Sequence, residues 1–284
     1  MKKKGNFLKG CIRFSYNRTA VVGLILLCVL VLTAVFAPFV APYPEDAGLV
    51  VHFKDKHKPP SLQHPFGTDG LGRDVLSRTI FGMRISLSLA VIVLAISIPI
   101  GVFLGIMAGY FQGRTEQVIM RITDVFSSIP PIVFALVISG VMGRSLQNSI
   151  LAIAFIWWRG FCRLAYGEAL SVKQESYVTV ARSLGASHLR IMFSEILPNM
   201  LSPIIVKATL DAGYAILVGT AISFLGVGAE PPTPELGVMV AHARHYLPAV
   251  WWASLFPGLT IFLIVLSFNL IGDGLRDFFG VEVK

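Results

Sequence analysis

Polar and apolar residues follow each other along this chain in long blocks. Six of the apolar blocks are long enough to cross a bilayer, which takes about 20 residues at 1.5 Å each. Charged residues are concentrated between these blocks. The pattern predicts an all-α, polytopic transmembrane protein with six spans, at about residues 20–41, 85–111, 119–141, 149–168, 200–226 and 250–272.

The composition also favours a membrane protein. Hydrophobic residues make up 55% of the chain and charged residues only 14%, against roughly 25% charged residues in soluble domains. The formal net charge is +8, but the basic residues lie mostly beside the apolar blocks, where lipid headgroups attract them. We therefore expect no nucleic-acid partner. Cys11, Cys28 and Cys162 form no CxxC pair, so we expect neither a disulfide framework nor a zinc site.

The N-terminal segment predicts the orientation of the spans. Residues 1–18 contain lysine and arginine but no acidic residue, so the positive-inside rule places them in the cytoplasm. The apolar run from Ala20 to about Val40 is longer than the roughly 7 to 15 residues of a signal-peptide core, which predicts a retained span. Six crossings return the C-terminus to the cytoplasm. The expected divisions are a basic segment (1–18), a first span with an extracytoplasmic loop (19–84), a core of five spans (85–279) with a cytoplasmic loop at about 169–199, and a tail (280–284).

Two features predict how the spans pack. Gly101, Gly105 and Gly109 recur every four residues and therefore share one helix face. Such a face permits close helix approach in lipid, either within this chain or against a second membrane subunit. Pro130 and Pro131 remove two backbone donors near the middle of the third span, which predicts a bend there.

The segment from Tyr177 to Asn199 is polar although it lies between two apolar blocks. Val178, Ala181 and Leu184 are spaced by three, which predicts a short helix with one apolar stripe. Gly185 is expected to end this helix.

A second short helix is predicted to follow. Ser187 is the expected N-cap, and the helix would run toward Pro198 through Leu189, Ile191 and Met192. Two short helices cannot bury much of their apolar stripe against each other. The pattern leaves two alternatives open: the stripe contacts a partner protein, or the segment lies on headgroups, for which Arg182, His188 and Arg190 are suitable.

Several charged residues lie within the predicted spans, where an isolated charge is costly. Lys207 and Asp211 are four residues apart and share a helix face. They form a structural pair, or Asp211 faces a translocation cavity and meets a peptide amino group or a cation. Arg159 is the candidate pathway cation. For Arg163 we expect snorkelling to the cytoplasmic interface, and for Asp124 a local ion pair with Arg121.

Polar residues outside the spans suggest few chemical sites. Asp69, Arg73 and Asp74 belong to a glycine-rich segment before the second span, where we expect structural or receptor-facing contacts, because the oxygen spacing does not suit calcium. His242 and His245 are three residues apart without a third ligand nearby, so we expect no metal site. The chain contains no GxxxxGK[ST], HExxH or GxSxG motif, which predicts a protein that is not an enzyme. A channel or an ion-driven transporter remains an alternative until its energy source is known.

The polar segment resembles the EAA element of permease subunits in binding-protein-dependent ABC importers. Ala181, Gly185, Leu197 and Pro198 stand in the register of that element, whereas Thr179, Val180 and Glu195 depart from it. Four stretches resemble the C-type subunit of the dipeptide and oligopeptide branch: FGTDGLGRDVLSRTIFGMRISL (Phe66 to Leu87), YVTVARSLGAS (Tyr177 to Ser187), SFLGVGAEPPTPELG (Ser223 to Gly237) and FNLIGDGLRDFF (Phe268 to Phe279).

The resemblance implies a fold, partners and a mechanism. It implies the type I importer (MetI-like) permease fold in a bacterial or archaeal-type inner membrane, where the chain imports di- or oligopeptides, or alternatively nickel or a nickel chelate. Expected partners are membrane lipid, a second homologous permease, two cytoplasmic ATPases and an extracytoplasmic binding protein. This chain would bind no cofactor, since ATP and Mg²⁺ belong to the ATPases. The expected ATPase-coupling residues are Tyr177, Val178, Ala181, Arg182, Leu184, Gly185, Ala186, Ser187, Leu189, Arg190, Leu197 and Pro198.

Overall fold

The computed structural model of the chain describes residues 17–280. Most of the predicted basic segment, including Cys11, and residues 281–284 of the predicted tail lie outside this range. Within it, the regular structure is helical, apart from one isolated bridge between Thr68 and Asp74. The α-helices are α1 (Arg18–Val35), α2 (Ala37–Val40), α3 (Val75–Phe111), α4 (Gly113–Ser128), α5 (Pro131–Met142), α6 (Leu146–Val172), α7 (Ser176–Ser183), α8 (His188–Arg190), α9 (Leu201–Phe224), α10 (Leu236–Ala243) and α11 (Trp252–Phe279).

The predicted all-α fold with six spans is confirmed. In the described part of the chain, α1, α3, α6, α9 and α11 are long and apolar enough to cross a membrane, and the bent pair of α4 and α5 brings the number to six when it is counted as one span. This span is not the continuous helix predicted at 119–141, because α4 and α5 meet at 86°. Ile129 and Pro130 are both extended, since a residue that precedes proline avoids the helical conformation. The bend predicted at Pro130 and Pro131 is therefore a break.

The second span begins earlier than predicted. We expected its start near residue 85, but α3 begins at Val75, where the Asp74 side chain accepts a hydrogen bond from the backbone N–H of Ser77 at 2.7 Å. The helix has 37 residues and is therefore about 55 Å long, against about 30 Å for the hydrocarbon layer. Hydropathy located only the apolar part of α3, and the rest of this helix extends beyond the bilayer.

The three glycines of α3 lie against α6. A Cβ atom added to Gly101, Gly105 or Gly109 would lie 2.3 Å from the Trp158 carbonyl oxygen, 2.4 Å from the Cys162 carbonyl oxygen or 2.8 Å from the Ala169 Cβ, respectively. Real Cβ atoms do not approach other atoms so closely, so the two backbones can touch only because these side chains are absent. Of the two alternatives for the glycine face, the structure therefore shows packing within this chain. The contact between α3 and α6 forms the centre of the bundle.

The two ends of α3 carry different loops. At its N-terminal end, the first loop (residues 41–74) is fixed by Asp46, whose carboxylate accepts a hydrogen bond from the Asp74 N–H at 2.7 Å. Arg78 donates to the Asp46 carbonyl at 2.8 Å. At its C-terminal end, Tyr110 contacts the segment between α6 and α9. The first loop and that segment therefore lie at opposite ends of the bundle.

Candidate functional site

The segment between α6 and α9, here called the two-helix loop (residues 173–199), contains the two short helices that were predicted. Gly185 ends the first, α7, in the left-handed region at φ +79°, a conformation that glycine adopts without strain. Ser187 caps α8, accepting a hydrogen bond from the Arg190 N–H at 3.4 Å. The chain then continues as a π-helical turn (Ile191–Ile196) and a 3₁₀ turn (Leu197–Asn199).

The predicted apolar stripe of this loop is divided between two environments. Val178 is buried with 3% of its surface exposed, and Ile191 and Met192 are also buried. These residues belong to the main hydrophobic core, because the loop folds back onto the helix ends. Leu184, by contrast, is 82% exposed. The prediction that Val178, Ala181 and Leu184 form one exposed stripe is therefore wrong.

A different set of apolar side chains is exposed on the two-helix loop. Leu184 and Leu189 lie on either side of the Gly185 turn, and Leu189 is 64% exposed. The side chains of Arg182 and Arg190 are also exposed. We call the exposed apolar set the tip surface: Tyr177, Val180, Leu184, Leu189 and Phe193.

The two-helix loop is attached to the end of α3 by polar contacts. The Tyr110 hydroxyl lies 2.8 Å from Nδ1 of His188. Lys173 donates to the Tyr110 carbonyl at 2.7 Å and to the Gln112 side chain at 3.0 Å. Tyr110 was not predicted as a functional residue, because its sequence signal is only that of a polar aromatic at the end of an apolar block. These contacts connect the loop to the longest helix of the described chain.

The two predicted pathway residues line one cavity. Arg159 of α6 and Asp211 of α9 meet at a space of about 110 Å³. Lys207 also lines this space, and its ammonium lies 3.0 Å from the Asp211 carboxylate. Asp211 therefore pairs with Lys207, as the structural alternative predicts, and it also lines a cavity. We call this space the charged cavity; its other lining residues are Pro131, Trp157, Gly160 and Tyr214.

Tyr214 was missed by the sequence analysis, although the sequence contains a signal for it. It lies three residues after Asp211, so the two share a helix face. Its ring lies 5.3 Å from that of Trp157, measured between centroids. The charged cavity therefore combines aromatic rings with two cations and one carboxylate.

Arg159 also stabilises the break between α4 and α5. Its guanidinium donates to the Phe126 carbonyl at 2.9 Å and to the Ile129 carbonyl at 3.5 Å. These carbonyls have lost their helical partners at the end of α4, where a positive charge is also favoured by the helix dipole. The cation of the charged cavity is thus held by the broken span itself.

The prediction for Asp124 was wrong. Asp124 does not pair with Arg121 but forms an ion pair with Arg163 of α6, with nitrogen and oxygen 2.5 Å apart. Both side chains are more than half exposed, so this pair contributes little to stability.

The glycine-rich part of the first loop makes structural contacts. Asp69 accepts hydrogen bonds from the backbone N–H groups of Leu71 and Arg73 and from the Arg73 side chain. Asp74 caps α3. Across residues 17–280, no group of three histidine, cysteine, aspartate or glutamate residues is placed to hold a metal ion.

The sequence has clear relatives. Residues 101–283 match the family described as the inner membrane component of binding-protein-dependent transport systems. Residues 10–60 match the N-terminal transmembrane domain of oligopeptide transport permease C.

Individual relatives cover most of the chain. It is 41% identical to the di/tripeptide transport system permease protein DppC of Pseudomonas aeruginosa, over 95% of this chain and 90% of that protein. It is 40% identical to the dipeptide transport system permease protein DppC of Alkalihalophilus pseudofirmus, over 94% of this chain and 87% of that protein. It is also 41% identical to the glutathione transport system permease protein GsiD of Escherichia coli, over 96% and 89%. The chain therefore belongs to the family of inner-membrane permease components of binding-protein-dependent transport systems.

Proposed function

We propose that this chain forms half of the transmembrane pathway of an ATP-driven importer of di- or oligopeptides. The other half would be a second, homologous permease. A binding protein outside the membrane would deliver the solute, and two cytoplasmic ATPases would supply energy through bound ATP and Mg²⁺. Relatives named for dipeptide, di/tripeptide and glutathione transport support a peptide as solute.

The observation that carries this proposal is that the tip surface is exposed while the opposite side of the two-helix loop packs against the core. Leu184 and Leu189 are largely exposed, whereas the opposite side of the two-helix loop is packed into the core. Burial of both leucines against a partner would contribute about 1.5–3 kcal/mol each. We infer that this partner is the ATPase, and that the loop and both termini are cytoplasmic.

Coupling would run along packed elements. A movement of the ATPase would displace the two-helix loop, and Tyr110 would transmit the displacement to α3, whose other end lies beside the first loop. A second route leads through α6 to Arg159 and the break between α4 and α5. Alternating access would follow, because the charged cavity lies between α6, α9 and this break.

The charges of the cavity favour a peptide over a free metal cation. Arg159 and Lys207 provide two positive charges against one negative charge from Asp211. A nickel ion would be repelled by this excess of positive charge. A peptide could place its carboxylate near the cations and its amino group near Asp211. Uptake of a radiolabelled dipeptide and of nickel by the complete complex, measured in parallel, distinguishes the two solutes.

The Gly185 turn provides a test of coupling. We expect Gly185→Val to reduce both ATPase co-purification and peptide uptake at least tenfold, because valine resists the left-handed conformation. Gly226 has a similar φ of +82° and an equally open environment, but lies far from the two-helix loop. Gly226→Val is therefore the matched control, and it should retain the ATPase. Normal assembly and uptake with Gly185→Val would contradict the docking role.

A further inference from the structure

A second cavity lies at the end of the bundle that carries the first loop. It has a volume of about 310 Å³ and is separate from the charged cavity. Its walls come from the glycine-rich part of the first loop, the start of α3, the segment before α10, α10 itself and the beginning of α11. We call it the outer cavity. Under the proposed function it lies outside the membrane, on the side where the binding protein releases its solute.

The polar lining of the outer cavity has more positive than negative charge. Arg73 and Arg78 both line it, together with the single carboxylate of Asp69. One oxygen of Asp69 accepts the backbone N–H groups of Leu71 and Arg73, and the other accepts the Arg73 side chain at 2.8–2.9 Å and lies 3.6 Å from Arg78. The carboxylate is therefore fully engaged, and one of the two guanidinium charges is not neutralised by it.

The two guanidiniums are held in place before any ligand arrives. Arg78 donates to the carbonyls of Asp46 at 2.8 Å and Pro232 at 3.0 Å, and its side chain is 4% exposed. Arg73 is fixed through Nε and Nη2 by Asp69, while its Nη1 has no hydrogen-bond partner within residues 17–280. A rigid guanidinium with a remaining donor is suited to an incoming carboxylate.

His242 of α10 adds a neutral donor to this site. Burial lowers the pKa of His242, and the charges of Arg73 and Arg78 act in the same direction. Its imidazole can therefore donate a hydrogen bond without adding a positive charge. The remaining walls are mainly apolar and include Val75, Val238, Met239 and Ala253.

We propose that the outer cavity binds a small carboxylate-bearing molecule of amino-acid to dipeptide size. Its carboxylate would lie at Arg73 and His242, and its apolar part against Val238, Met239 and Ala253. A volume of about 310 Å³ lies at the lower end of the roughly 300–1,000 Å³ found for ligand pockets, which share this mainly apolar lining with a few convergent polar groups. The charged cavity of about 110 Å³ is smaller and lies between the spans.

The test is a binding measurement on the complete permease and ATPase complex in detergent, without the binding protein. The probe is alanyl-4-fluorophenylalanine, observed by ¹⁹F NMR, and the matched ligand is its C-terminal amide. We expect the acid to bind at least tenfold more tightly than the amide. Arg73→Gln should remove this preference, whereas Arg244→Gln should keep it, because Arg244 lies over the Phe224 ring and does not line the cavity.

A second variant, Ala253→Leu, changes no charge but reduces the volume of the outer cavity. It should weaken binding of the acid at least tenfold. The proposal can therefore still be tested if Arg73→Gln fails to fold. Equal binding of acid and amide, or unchanged binding with Ala253→Leu, would overturn the proposal. A third outcome would also overturn the proposal: the free probe does not bind, but Arg73→Gln weakens docking of the binding protein. The carboxylate that Arg73 binds would then belong to an acidic side chain of that protein. Only the outward placement of the cavity rests on the proposed function. Because the measurement needs no transport, failure here leaves that function intact.

Discussion

The hydroxyl of Tyr110, at the end of α3, lies 2.8 Å from Nδ1 of His188 in the two-helix loop. The two residues are 78 positions apart in sequence, and their rings pack edge to face with centroids 5.6 Å apart. This contact joins the segment proposed to receive the ATPase to the helix that reaches the opposite end of the bundle.

Tyr110→Phe should loosen this link while leaving the ring in place. The loss of one hydrogen bond costs about 1 kcal/mol, so the complex should still assemble. We expect ATP hydrolysis to continue while the number of peptides imported per ATP falls severalfold. The measurement is the ratio of uptake to ATP hydrolysis in proteoliposomes. Tyr43→Phe removes a hydroxyl that bonds to Gln63 in the first loop and should leave the ratio unchanged.

Gly105→Ala should destabilise the bundle by about 1–3 kcal/mol, the usual cost of overpacking. The added methyl group would lie 2.4 Å from the Cys162 carbonyl oxygen and would force α3 and α6 apart. Gly167→Ala is the matched control, since a Cβ atom there meets nothing within 4 Å and alanine favours a helix. Thermal unfolding in detergent should show a lower midpoint for Gly105→Ala only. Equal midpoints would mean that the helices do not touch at this glycine.

Variants of the Lys207 and Asp211 pair distinguish a structural role of these charges from a role in transport. Asp211→Asn leaves the lysine without its counter-ion and should cost about 1–3 kcal/mol of stability. Lys207→Met combined with Asp211→Asn removes both charges and should restore the thermal midpoint. If Asp211 contacts the solute, the double variant remains at least tenfold impaired in uptake. Normal uptake by the stable double variant would limit this pair to a structural role.

His242 should make stability depend on pH. Because burial lowers its pKa from the usual 6.5, the unfolded chain takes up a proton at higher pH than the folded chain does. The stabilisation is therefore present above about pH 6.5 and is lost as the pH falls toward the lower pKa of the folded chain. Replacement by glutamine should reduce the fall in unfolding midpoint between pH 7 and pH 5. His57, whose pKa burial also lowers, is common to both proteins and cancels in the comparison.

Hydropathy and local signals predicted the spans, the Gly185 turn and the Ser187 cap, because each of these depends on neighbouring residues alone. The same signals failed at the start of α3, since Asp74 extends the helix beyond the apolar block. They also failed for the stripe of the two-helix loop. Helical spacing showed that Val178 and Leu184 share a face, but only tertiary packing decides that Val178 is buried and Leu184 exposed.

The charged cavity shows the same limit. The four-residue spacing of Lys207 and Asp211 was enough to predict their pairing. It could not show that Arg159 lines the same space, because that depends on how α6 packs against α9. Likewise, sequence distance favoured Arg121 as the partner of Asp124, whereas the packing of α4 against α6 brings Asp124 to Arg163. Contacts between helices follow from the path of the chain, which local patterns do not contain.

The measurement that tests the docking role of the tip surface most directly is co-purification of the ATPases with Leu184→Asp. Leu184 is 82% exposed on the two-helix loop, and Leu62 is fully exposed in the first loop at the opposite end. Both variants should fold, since neither leucine is buried. We expect Leu184→Asp to lose the ATPases at least tenfold and Leu62→Asp to retain them. Full retention of the ATPases and normal uptake with Leu184→Asp would contradict docking through the two-helix loop.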